Sequence, residues 1–202
     1  ENRTIFFGLD QYRDELPGSN IKGKNPLKDQ RVRQALYQAI DMDAIHKVVM
    51  RGMSQNTGTL IAPQVNGYTK RADQRYPFNV AAAQKLPASA GYQDGFDVDF
   101  ACPNNRYIGD ERICQAVAAM WSKIGVKAKL RTLPLVTYFP MIQRNEASIY
   151  MLGWACPPST RSTACSRWCA AWARAATATT TSAAIPTRRW TRWWSASRSR
   201  SI

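Results

Sequence analysis

The sequence predicts an α/β fold built on a parallel sheet, and three neighbouring segments carry that prediction. Phe96, Val98 and Phe100 alternate with Asp97 and Asp99, the pattern of a strand with one wet face. Residues 110–124 set Ile113, Val117, Met120 and Trp121 on one stripe of a helix that Gly125 closes. Val126, Ala128 and Leu130 then alternate with Lys127, Lys129 and Arg131 as a second strand. Strand, helix and strand in that order make a βαβ unit over 96–131, a parallel crossover expected to be right-handed.

The other elements follow along the chain. Residues 4–9 read as a strand, and Pro17-Gly18, Gly23 and Pro26 break the segment after it. Asp29 is the expected N-cap of a helix whose Val32, Ala35, Leu36, Ala39 and Ile40 share one apolar face. A second helix from Asp41 or Asp43 is expected to bury Ala44, Ile45, Val48 and Val49 and to stop at Gly52. Residues 58–78 carry Pro63, Gly67 and Pro77 without periodicity and read as a long connection. Asn79 caps a helix running toward Gly91, with Pro87 expected to kink or shorten it. A short helix near 137–144 leads to a strand over 148–154.

Beyond residue 154 the composition changes. No acidic residue follows Glu146, and Ala, Arg, Thr, Ser and Trp dominate from Ala155 onward. Of the 28 Lys and Arg, eight are arginines in 155–202, which leaves 20 against 14 acidic residues in 1–154, a net charge of +6 instead of +14. Tryptophan has the single codon TGG, so reading one base earlier forces Asp across Trp190 and Thr191, and Val across Trp193 and Trp194. With synonymous codons the last residues become L-D-A-L-V-E-R-I-K-V-E-I-D, apolar at helical spacing. The expectation is therefore one domain over 1–154 and a frame-shifted, poorly ordered tail over 155–202. One additional G after the Trp154 codon in the source genome is the result that reading requires. The alternative is a nucleic-acid-binding segment in which arginines neutralise phosphates and indoles stack on bases, with affinity falling steeply as salt rises.

About 154 residues suffice for one core. The first residues, Glu1-Asn2-Arg3-Thr4, carry no charged region followed by an apolar one, so no export signal is read there. No stretch approaches the roughly 20 apolar residues of a membrane span. Cys102 and Cys114 read as two buried free thiols, with a disulfide between them as the alternative. His46 has no Cys or His at a ligand spacing, so neither a metal site nor a cofactor is expected. Asp97 and Asp99 share a solvated strand face, and Asp110-Glu111 favours a helix N-terminus. With no nucleophile beside a base and no Gly-rich phosphate loop, the chain is not expected to be an enzyme.

The segment from Asn25 to Asp41, N-P-L-K-D-Q-R-V-R-Q-A-L-Y-Q-A-I-D, closely resembles the signature P-[FL]-x-D-x-R-V-R-x-A-[LI]-x-x-A-[IL]-[DN] of the family 5 extracellular solute-binding proteins, the dipeptide and oligopeptide receptors of ABC importers. Further matches follow in order: Val49-Met50-Arg51-Gly52, Ala62-Pro63, Ala90-Gly91-Tyr92, Trp121 to Val126, and Gly153-Trp154. In the first motif, Arg31 and Arg33 lie on the polar side of the helix, free to bind carboxylates or backbone carbonyls.

The resemblance implies a periplasmic, monomeric receptor of two α/β lobes, the class II type. A hinge closes the lobes around a peptide-like solute for presentation to a membrane permease, without catalysis, cofactor or nucleic acid. This chain then corresponds to part of the C-terminal lobe. The family places ligand contacts in the loop after the strand at 96–101, here Cys102-Pro103-Asn104-Asn105-Arg106-Tyr107, so Asn104, Asn105, Arg106 and Tyr107 are the implied ligand residues. Peptide receptors often carry Arg at the position of Asn104, and Arg106 is the residue available to substitute. Trp154 matches a cleft position, and a core Trp at a strand end is the equal alternative. The Asp that peptide receptors carry just past Gly-Trp is replaced by Ala155-Cys156-Pro157-Pro158.

Overall fold

The computed structural model describes residues 3–63, 65 and 68–155. The expected out-of-frame tail lies, apart from Ala155, outside the described residues.

A four-stranded sheet forms the middle layer. Its strands are β1 (Arg3–Leu9), β2 (Phe96–Pro103), β3 (Val126–Leu133) and β4 (Ile149–Ala155), in the order β1-β4-β2-β3. β2 and β3 pair in parallel along their whole length, from Phe96 opposite Val126 to Pro103 opposite Leu133. The helix between them is α4 (Asp110–Ser122), so the βαβ unit forms as the alternation requires. β1 runs antiparallel to β4 from Arg3 opposite Ala155 to Leu9 opposite Ile149.

Strand periodicity sorts the core onto two faces. Phe96, Val98, Phe100 and Cys102 point with Ile149 and Met151 toward α4 and α1 (Gln30–Gln38). Ala101, Tyr150 and Leu152 point the other way, onto Tyr138 and Met141 of α5 (Leu135–Gln143). Trp121 fills the larger core, set edge-on to Phe7 and tilted against Phe100, and its indole N–H donates to the Leu36 carbonyl at 3.0 Å. That bond reaches the last turn of α1, where carbonyls run out of donors within the helix.

Asp29 caps α1 by accepting from the Arg31 N–H at 2.8 Å, as the motif requires. Both motif arginines have partners within the fold. Arg31 pairs with the Asp29 carboxylate and donates to the Ser89 carbonyl at 2.6 Å, while Arg33 donates to the carbonyls of Leu27 and Lys28. Arg31 thereby ties the start of α1 to the end of α3 (Val80–Ser89), which Asn79 caps. Pro87 does not shorten α3: the helix continues to Ser89 with Pro87 buried, and its carbonyl accepts from Tyr92 N–H at 2.9 Å.

Three expectations are corrected. The helix after Asp41 is α-helical only over α2 (Met42–Ala44) and widens into a π-helical turn over Ile45–Val49. The extra residue per turn rotates Val48 outward, leaving it 75 % exposed instead of buried, with Ala44, Ile45 and Val49 only partly covered. The face of β2 carrying Asp97 and Asp99 is not fully wet. Its neighbour β3 supplies cations to it: Arg131 grips Asp99 through two bonds of 2.7 and 2.6 Å, and Lys129 pairs with Asp97 at 2.9 Å. Asp99 is only 8 % exposed as a result. Finally, Cys102 and Cys114 are joined as a disulfide and are not free thiols. Cys102 continues the inward series of Val98 and Phe100, and Cys114 sits beside the buried stripe of Ile113, Val117 and Trp121, so the βα connection brings them together with 6.6 Å between Cα atoms.

Candidate ligand cleft at the carboxyl ends of the strands

β2 and β4 pair at only two positions, Phe100 with Ile149 and Ala101 with Tyr150. Beyond those residues the strands no longer hold each other, and two tyrosine hydroxyls do the joining. On one face the buried Tyr138 hydroxyl accepts from Met151 N–H at 2.9 Å and donates to the Met151 carbonyl at 2.7 Å, with the Ala101 carbonyl also at 3.2 Å. Burial in this apolar layer raises the Tyr138 pKa, so the hydroxyl keeps its proton. On the other face the Tyr107 hydroxyl accepts from Gly153 N–H at 2.8 Å. A side chain at 153 would displace its neighbours: a Cβ there would stand 2.8 Å from the Tyr107 ring and from Arg3 Cδ, and 2.9 Å from Ile5.

The loop from Asn104 to Gly109 carries most of the expected ligand residues and is fixed from several sides. Asp110, 4 % exposed, accepts from the N–H groups of Arg106 at 2.9 Å, Tyr107 at 3.0 Å and Glu111 at 2.9 Å. Asn104 N–H reaches the Leu133 carbonyl at 3.1 Å. Asn105 Oδ1 accepts from Leu135 N–H at 2.8 Å, so this side chain serves the start of α5. Gly109 turns the chain at φ +68° into α4. Asn104, Asn105 and Arg106 are exposed and Tyr107 is half-buried. The guanidinium groups of Arg3 and Arg106 each lie 5.5 Å from the centre of the Tyr107 ring, within cation–π range.

The fold thus joins Tyr107 to Gly153 at the mouth of the β2–β4 gap, with Arg106 beside them. Trp154 packs against the buried Ile61 of the long 58–78 connection, as do Val65 and Tyr68. Sequence reasoning missed Arg3, Tyr138 and Asp110 as parts of this site. For Arg3 nothing in the sequence signals the contact, because it depends on β1 lying against β4. For Asp110 the signal existed: an Asp three residues after Tyr107 can accept from loop amides as well as favour a helix start.

A second network ties the connection to itself. Asp73 accepts from Thr57 Oγ1 at 2.8 Å, Gly58 N–H at 2.5 Å and the Tyr68 hydroxyl at 2.8 Å. Burial pushes the Asp73 carboxyl up, but those three bonds and the Arg75 charge outweigh it and hold the carboxyl below its ordinary value. The contribution is therefore complete above the unfolded pKa of about 4 and is lost as pH falls through the lower folded value. The Gly58 amide resonance is expected to shift in that acid window in the native protein and to stay flat in Asp73→Asn; a native amide that does not move would remove Asp73 from this role.

Among the described residues no helix is long and apolar enough to cross a membrane, and no group of three or more His, Cys, Asp or Glu is placed to hold a metal ion.

The α/β layers belong to a known class. The fold matches solved periplasmic binding proteins, each of two lobes, of which this chain supplies part of one. One is the ABC transporter-associated periplasmic binding protein DppA from Helicobacter pylori in complex with peptide STSA, at TM-score 0.66 and 21% identity over 76% of this chain and 27% of that one. HbpA2 from Haemophilus parasuis matches at TM-score 0.63 and 28% identity, over 77% of this chain and 29% of that one. A family model described as bacterial extracellular solute-binding proteins, family 5 middle, matches residues 1–173, and the chain belongs to that family. Its relatives include the dipeptide-binding protein of Escherichia coli K12, 31% identical over 179 residues, covering 77% of this chain and 33% of that protein. Heme-binding protein A of Haemophilus influenzae is 31% identical over 140 residues, covering 65% of this chain and 24% of that protein. The chain spans about a third or less of the length of these relatives. The alternative nucleic-acid reading gains no support from these matches.

Proposed function

We propose that this chain forms part of a periplasmic, noncatalytic receptor that captures a peptide or peptide-like solute for the membrane permease of an ABC importer. The observation that carries the reading is the Tyr107 to Gly153 bond, which brings the loop after β2 and the Gly-Trp pair of β4 to one opening at the carboxyl ends of adjacent parallel strands. Open α/β sheets bind their ligands at such ends. In this reading Arg106 receives a ligand carboxylate, Asn104 and Asn105 offer amide contacts, Tyr107 supports Arg106 through its ring, and Trp154 lines the cleft wall above Ile61. The solute-binding names of the relatives, dipeptide and heme among them, support capture without chemistry as the task. The buried disulfide supports a location outside the reducing cytoplasm.

Affinity in a receptor of two lobes comes from burying the solute between them, so one lobe in isolation offers half a site. Calorimetry on the 202-residue chain is expected to register no peptide binding at micromolar concentration. The longer receptor containing it should bind, and Arg106→Ala should weaken that binding by about 2 kcal/mol, the scale of a lost charge-assisted hydrogen bond. Micromolar binding by the 202-residue chain alone would overturn the reading.

A further inference from the structure

We infer that the Cys102–Cys114 disulfide is a positioning device for the ligand loop, so that full binding affinity is reached only when these two thiols are oxidised. The inference rests on the loop after β2 being the ligand loop, as proposed above, and its structural half can be tested without any ligand.

Its placement carries the argument. The two cysteines are 12 residues apart, and every loop residue assigned to the solute, Asn104 to Tyr107, lies between them. Cys102 stands where β2 has already parted from β4, whose pairing stops at Ala101. Cys114 stands in the second turn of α4, just above the Ile113, Val117 and Trp121 stripe that fastens the remainder of the helix. The bond therefore closes the base of the loop just past the last residue of β2 that pairs with β4. Within the closed ring, Asp110 gathers the amides of Arg106 and Tyr107, and Asn104 N–H holds Leu133. The backbone is pinned while the side chains of Asn104, Asn105 and Arg106 stay exposed. A loop ordered before it meets its ligand loses less entropy on binding.

Neither cysteine has any exposed surface, so a reductant in solution cannot reach the finished bond. The bond must form while the chain is open. Each thiol then loses one proton and one electron, the S–S bond forms, and the electron pair reduces the disulfide of a thiol-exchange oxidant to a dithiol. A chain still in a reducing compartment would carry the loop unclosed and hold its solute about tenfold more weakly.

Amide hydrogen exchange on the 202-residue chain tests this. In Cys102→Ser/Cys114→Ser the amides of Asn104, Arg106 and Tyr107 are expected to exchange about tenfold faster or more, while those of Val117 and Trp121 keep their protection. If the serine hydroxyls unfold the core, the apolar pair Cys102→Ala/Cys114→Val provides the same comparison. Unchanged loop exchange in a folded variant overturns the inference. In the longer receptor, the same variants should lose about tenfold in peptide affinity, and unchanged affinity likewise overturns it. An oxidised receptor that binds no peptide-like solute would sink the functional reading instead, leaving the amide comparison to decide the loop.

Discussion

Trp121→Ala is expected to lower unfolding free energy by about 4 kcal/mol, read from urea denaturation of the chain. The indole is 1 % exposed and lies between Phe7 of β1 and Phe100 of β2, with ring centres 6.0 and 5.0 Å away. Truncation opens a cavity bounded by two strands and two helices that cannot all move inward, and it also strips the Leu36 carbonyl of its indole donor. Against a total stability of about 5–15 kcal/mol for a domain, that loss is severe. Trp121→Phe separates the contributions, since it keeps most of the packing and removes only the donor; a cost of about 1–2 kcal/mol is expected. An alanine variant within 1 kcal/mol of the native chain would mean that α4 is not locked to α1 and the sheet in the way described.

Gly95→Ala should cost about 3 kcal/mol for a different reason. Gly95 turns the chain into β2 at φ +73°, and a Cβ there would stand 2.0 Å from the Gly125 carbonyl oxygen, the acceptor for Phe96 N–H. The obstacle is backbone, so no rotamer change relieves it, and the first rung of the β2–β3 pairing must shift. Gly91→Ala is the matched control. Its φ is +87° with nothing within 4 Å of the added carbon, so it should carry only the conformational cost of about 1–2 kcal/mol. Equal losses in the two variants, measured by thermal or urea unfolding, would show that the close approach of Gly95 to Gly125 is not what matters.

Much of this architecture was legible in the residues because its signals are local. The alternation at 96–100 and 126–131, the stripe of Ile113, Val117 and Trp121, and the caps Asp29 and Asn79 each fix an element from a few neighbouring side chains. What was not legible depends on partners distant in sequence. The carboxylates of Asp97 and Asp99 look solvated until β3 supplies Lys129 and Arg131 beside them. Val48 belongs on an apolar stripe only if the winding is α-helical, and the change to a wider turn at Ile45 has no simple sequence mark. The disulfide could have been foreseen: both cysteines continue inward-facing periodicities, and a βα connection places the end of a strand against the first turns of its helix. At the cleft, the motif loop and the Gly-Trp pair could be named from resemblance, but their meeting through a single tyrosine hydroxyl requires the order β1-β4-β2-β3, which no local pattern reports.

That strand order also governs how the molecule can come into being. β1 is made first, yet its partner β4 begins 140 residues after β1 ends, at Ile149. While the ribosome is still adding the intervening chain, Thr4 to Leu9 have no mate, and the sheet cannot close until Ala155 has emerged. Contacts this far apart are slow to form because the chain between them must first be gathered up. Of the pairings in this sheet, the one between β1 and β4 is therefore the last that the order of the chain allows to form.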